Sequence, residues 1–302
     1  MIALDTNILI YACDKADSTG VISQNGVSGP RPHEAHPLNR IRKVSLRLLV
    51  PQRRVTIDGV PSGKACPHTR RRFDMPPHDA SSCPVPSTHD KYNEARYFFA
   101  KLLEHYHRPE EFQFNLNAFI QAIRNITFML QSEENKPEGF DEWYAKKQAA
   151  MRADAALRRF VEARNIIVKR SSLSAMSAAR SGLFRGRKLK LAVAHELPPF
   201  MDTLEALENA KAFAYALFLD EEHSAIGEQA GVERVWVVTE LGGDEAALTC
   251  LRALNYMGEL VAEAHRLCGG SDRHEPITVD MRQVQVLLET DVDPTLLEKW
   301  GW

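Results

Sequence analysis

The chain has 302 residues and a mass of 34.1 kDa; 44% of its residues are hydrophobic, 26% are charged, and the formal net charge is −2. That length allows about two domains with a sizeable core, and the balance excludes a wholly disordered, collagen-like or fibrous chain. No apolar run approaches the ~18 residues of a membrane-spanning helix, and the N-terminus lacks a basic leader region, so a cytoplasmic location without membrane contact is expected.

Charge divides the chain into unlike pieces: net −2 over residues 1–17, +6 over 18–90 and −6 over 91–302. The expected organisation is a short N-terminal fragment (1–17), a largely irregular Pro/Arg-rich linker (18–87), a helical body (88–270) and a C-terminal extension (271–302). The fold class expected is mainly α.

In MIALDTNILIYACD, an apolar run at Ile2–Leu4 is followed by polar Asp5-Thr6-Asn7 and a second apolar run at Ile8–Tyr11. The pattern predicts a buried strand turning into a helix, with Asp5 at the strand's carboxyl end, where open α/β sheets place their sites. Ten of the sixteen prolines fall in residues 18–90, with arginines at Arg53-Arg54 and Arg70-Arg71-Arg72. Proline removes a backbone donor and disfavours helix before itself, so only Ile41–Val50 is expected to form a short element there. The basic charge of this arm suits RNA phosphates without sequence preference.

From residue 87 a helical period takes over. Ser87 and Thr88 can cap a helix beginning near His89, whose stripe is Ala95, Phe98, Phe99, Leu102, Leu103 and Tyr106. A second helix is predicted over about 111–131 and a third over 140–164, separated by Pro137 and Gly139. Residues 171–190 read as a polar stretch, helices follow at about 202–219 and 244–267, and the β-branched content of 233–240 favours a strand. Residues 277–288 alternate only weakly.

Arg124 is the only charged residue between Phe112 and Gln131. So apolar a helix belongs inside a bundle. Asn117, Gln121, Arg124 and Gln131 then share one stripe, as a polar site between helices or as a structural hydrogen-bond network. Arg164 falls on the apolar register of the third helix, so Arg124 and Arg164 are candidates for one pocket holding a phosphate or carboxylate. Asp141, Glu142 and Asp154 are the acids nearest in sequence that could neutralise them, and Glu162 is another candidate partner.

The run from Phe112 to Gln131, then F-x-x-W-Y at 140–144, then A-R-N at 163–165, resembles HEPN-type helical bundles. That family carries an Arg followed four to six residues later by a His. Arg164 and Asn165 match its first half, and Lys169 stands where the His is expected. The resemblance implies an RNA-associated bundle with Arg164, Asn165 and Lys169 at the catalytic position, Arg124, Gln121 and Asn117 as substrate-binding residues, no metal in the helical body, and weak or absent nuclease activity because lysine is a poor base near neutral pH.

M-I-A-L-D-T-N-I-L-I-Y-A-x-D in turn resembles the opening of PIN-domain ribonucleases of the toxin–antitoxin class. It implies Mg²⁺ or Mn²⁺ at Asp5, supported by Thr6 or Asn7, and thus a metal-dependent endoribonuclease as an alternative function. A third reading is a non-catalytic module that binds a partner protein. The five cysteines (Cys13, Cys66, Cys83, Cys250, Cys268) form no CxxC pair, and no two histidines have i, i+4 spacing. Neither a disulfide framework nor a zinc site is therefore expected. Gly-rich phosphate loops and GxSxG elbows are absent from the sequence.

Overall fold

Two apolar helices joined by a four-residue link set the frame. In the computed structural model, which describes residues 9–11, 83–134, 136–170, 173–195, 200–270 and 273–302, α1 spans Pro86–Glu104 and α2 spans Pro109–Ser132. Each begins with proline, whose missing N–H would be unsatisfied in a first turn anyway. α1 buries Tyr92, Ala95, Phe99, Leu102 and Leu103; α2 buries Phe112, Leu116, Phe119, Ile120, Ile123, Ile126 and Leu130. Helix α1 starts three residues earlier than its Ser/Thr signal suggests. Its cap comes from afar: Glu133, just past α2, accepts hydrogen bonds from the Thr88 N–H and hydroxyl, both at 2.7 Å. The end of α2 thus ties down the start of α1, so the pair is antiparallel.

The single helix expected over 140–164 is two helices, α3 (Phe140–Ala153) and α4 (Ala155–Arg170). Asp154 makes the break. It leaves helical geometry (φ −74°, ψ 116°), and its carboxylate accepts from the N–H groups of Ala156 (2.8 Å) and Leu157 (3.0 Å), capping α4.

Residues 171–190, read from sequence only as a polar stretch, contribute most of a hairpin. β2 (Ala175–Arg185) and β3 (Lys188–His195) pair antiparallel across Gly186-Arg187, with Gly186 at φ +54°. β2 also pairs with β4 (Glu228–Val238) over its whole length. The three-stranded core gains β1 (Leu9–Tyr11) beside β3 and β5 (Val286–Leu288) beside β4, all antiparallel, in the order β1-β3-β2-β4-β5. Leu9–Tyr11, expected to lead into a helix, is therefore strand. The strand favoured at 233–240 exists, but it begins at Glu228 and gives way after Val238 to a 3-10 turn, Thr239–Leu241.

Helix α5 (Thr203–Leu217), then α6 (Glu221–Ala225), lead into β4, and α7 (Ala246–Leu267) returns to the bundle. Past α7 the chain forms α8 (Met281–Gln285), β5, α9 (Glu289–Val292) and α10 (Thr295–Trp300). One face of β4 serves two cores. Ala230 and Val232 pack with Ala206, Leu207 and Ala210 of α5, while Trp236 and Val238 join the core of α1, α2, α4 and α7. Helices dominate the described residues, as expected, and the sheet is the element that composition concealed.

Candidate functional site

A cleft of 340 Å³ opens between α2, α3 and α4, with Met257 of α7 contributing to its lining. Its apolar wall is Ile123, Leu157, Phe160 and Val161, and its polar wall carries Arg124, Arg152, Arg158, Gln148, Tyr144 and Glu162. Two of the three arginines are aimed by local contacts. The Arg124 guanidinium lies 4.3 Å from the Phe128 ring centroid, and its Nη1 donates to Thr127 Oγ1 at 2.9 Å. Arg158 Nη1 donates to the Arg152 carbonyl at 2.8 Å, reaching back over the end of α3. Tyr144 is fixed as well: its hydroxyl donates to the Thr127 carbonyl and accepts from Gln131 Nε2, each at 3.1 Å.

The nearby acids are committed elsewhere. Asp154 caps α4, Glu142 pairs with Lys146 at 2.8 Å, and Glu263 pairs with Lys147 at 2.6 Å. Arg124, Arg152 and Arg158 have no carboxylate partner among the described residues, and Glu162 is the only acid in the lining.

Of the residues singled out from sequence, Arg124 lines this cleft. Arg164 is half-buried on α4, one turn beyond Phe160, and is not part of the lining; Asn165 and Lys169 are exposed. The partners of Arg124 are thus Arg152 and Arg158 rather than Arg164 and Lys169. Gln121 is exposed, and its amide donates to the Asn117 carbonyl at 3.3 Å; the Asn117 side-chain oxygen is buried with no hydrogen bond. Asp5, with the Ile2–Leu4 run and residues 12–82, lies outside the described residues.

A second constellation was invisible in the sequence. Cys83, His89 at the first turns of α1 and His265 near the end of α7 bring three ligand-type atoms within 4.8 Å of one another. Cys83 Sγ and His89 Nδ1 each lie 3.4 Å from His265 Nε2. Sequence offered no spacing signal because 182 residues separate Cys83 from His265.

A third polar group is buried at the seam between the two cores. Arg234 is fully buried on β4, its Nη2 donates to the Met201 carbonyl at 2.5 Å, and its guanidinium lies 5.2 Å from the Trp236 ring. Burial, only partly offset by Asp202, lowers its pKa to about 10. Both ring nitrogens of His107 are buried; burial, reinforced by the Arg234 charge, pushes that imidazole down to about 3.

A family model described as bacteriophage lambda protein ea47 matches residues 77–292. The chain belongs to the ea47 family. The match takes in α1 to α9, and so both the arginine cleft and the Cys/His cluster lie within the ea47-family region. Protein ea47 of Escherichia phage lambda is 33% identical to the chain over 82 residues, which are 27% of this chain and 20% of that protein. The chain thus spans about a fifth of the curated ea47 relative. No solved structure matches. Among the described residues no helix is long and apolar enough to cross a membrane.

Proposed function

We propose that the chain is an RNA-associated helical-bundle protein whose cleft between α2, α3 and α4 holds a phosphate with its attached nucleoside. One observation carries this reading: three guanidinium groups without carboxylate partners among the described residues rim a cleft that has an apolar wall. Guanidinium matches phosphate in a bidentate fork, and an apolar slot beside it accepts a base or ribose. Residues 91–302 carry net −6, so the positive charge is local. A long polyanion laid across an acidic body is repelled, whereas one or two nucleotides inserted at the cleft are not.

Binding is favoured over cleavage. Metal-independent attack by a ribose 2′-hydroxyl needs a base to take its proton, and a second group to protonate the leaving oxygen. The described lining provides one carboxylate, Glu162, and no imidazole. Lys169, which stands where the resemblance to HEPN bundles expects a histidine, is exposed and outside the lining. Weak or absent nuclease activity follows.

Photo-crosslinking tests the placement. A short single-stranded RNA carrying a photoreactive uridine should label Tyr144, Gln148 or Met151, and excess nucleoside monophosphate should suppress that labelling. Labels confined to residues outside α2–α4 would sink the reading.

A further inference from the structure

We propose that Cys83, His89 and His265 form a zinc-binding site. The site is distinct from the arginine cleft and does not depend on RNA binding.

The distances between the ligand atoms fit a metal. With Zn–N at about 2.05 Å and Zn–S at about 2.3 Å, a tetrahedral centre holds two nitrogens about 3.4 Å apart, and a nitrogen and a sulfur about 3.6 Å apart. The observed separations are 3.4 Å for His89 Nδ1 to His265 Nε2, and 3.4 Å for Cys83 Sγ to His265 Nε2. The two imidazoles are tilted against each other, with centroids 5.2 Å apart and planes inclined by 37°.

His265 presents the same atom, Nε2, to both Cys83 and His89, and the three ligand atoms lie within 4.8 Å of one another. A cation is held by such a convergence of donors. Thiolate with imidazole is a borderline-soft set, suited to zinc rather than to magnesium or calcium.

His265 is 1% exposed, whereas Cys83 and His89 are half-buried. The metal would sit on a buried imidazole with two ligands at the rim. Its mechanical effect follows from the placement of the ligands. Cys83 lies just before α1, His89 in its first turns and His265 at the end of α7, so the ion would tie the entry of the helical body to its longest returning helix. Binding requires the Cys83 thiol to give up its proton, so affinity rises with pH.

Cobalt(II) titration of the full-length, reduced, metal-stripped protein tests this directly, because cobalt reports both thiolate ligation and tetrahedral geometry in its absorption spectrum. One equivalent should produce a thiolate-to-cobalt charge-transfer band and intense d–d bands, and one equivalent of zinc should bleach them. Cys83→Ser should abolish the charge-transfer band. His89→Gln, a change at a rim position, should weaken binding by more than the ~10–100-fold typical of losing an outer-shell partner. Cys268→Ser should leave the spectrum intact. The proposal is overturned if the unmutated protein shows no such bands at stoichiometric cobalt. A charge-transfer band that survives Cys83→Ser, or is lost in Cys268→Ser, overturns it equally, since the thiolate would then come from elsewhere.

Discussion

Trp236 of β4 lies flat on Phe112 of α2, with ring centroids 4.6 Å apart and planes 12° from parallel. The indole N–H donates to the Tyr106 carbonyl at 2.8 Å, closing the contact at its polar edge. This is where the sheet joins the helical bundle that carries the cleft. Replacing Trp236 with alanine should cost about 3–5 kcal/mol in denaturant unfolding. A double-mutant cycle with Phe112→Leu and Trp236→Leu should return a coupling of roughly 0.5–1.5 kcal/mol. Additive losses would mean that the stacked pair contributes only its buried area.

Gly182 on β2 faces the β3 backbone. A Cβ there would lie 1.9 Å from the Leu191 carbonyl oxygen, a clash no rotamer can relieve. Gly182→Ala should therefore destabilise the hairpin, by at least the ~1–3 kcal/mol of an overpacked core. Amide hydrogen exchange should quicken first at residues 181–193. Exchange unchanged from the parent would contradict the close approach of the two strands.

The helices were legible and the hairpin was not, for one physical reason. Phe99, Leu102, Phe119 and Ile123 repeat at helical spacing with large side chains, so their faces are evident in the sequence. The inward face of β2 is Ser177, Ala179, Ser181 and Leu183, and its outward neighbours include Ala178 and Gly182. Small residues on both faces erase the two-residue alternation in hydrophobicity, although the burial alternation is clear. Arg124 was legible as a lone charge in an apolar helix. Arg152 and Arg158 were not, because α3 and α4 were read as one continuous helix. Asp154 followed by two alanines and a leucine is the capping signal that separates the two helices.

His107 predicts a pH dependence. In the unfolded chain its pKa returns to about 6.5, while in the folded protein burial and Arg234 hold it at about 3. Between these values the unfolded chain binds the extra proton. Stability from this group is therefore full above pH ~6.5 and falls by about 1.4 kcal/mol for each unit below it, until the folded pKa is reached. Other groups titrate in the same range, so the measurement is a difference. His107→Phe should lose less stability than the parent between pH 7 and pH 5. Parallel losses in the two proteins would remove His107 as the cause.

The cleft should show its charge in salt. Each arginine that engages a single-stranded phosphate adds about 0.7 to the slope of log affinity against log salt. Arg158→Gln should reduce that slope by about this amount for a short single-stranded RNA. An unchanged slope would place Arg158 outside the phosphate contacts.

The central claim is that Arg124, Arg152 and Arg158 act together on RNA while Lys169 does not, and RNA affinity by fluorescence anisotropy tests it most directly. With a four-nucleotide RNA at fixed salt, Arg124→Ala, Arg152→Ala and Arg158→Ala should each weaken binding roughly 10-fold, the scale of one charge-assisted hydrogen bond. Lys169→Ala, on an exposed position beyond the cleft, should change it less than twofold. If Lys169→Ala weakens binding as much as the arginine variants do, or if the three arginine variants bind as tightly as the parent, the cleft is not the RNA site.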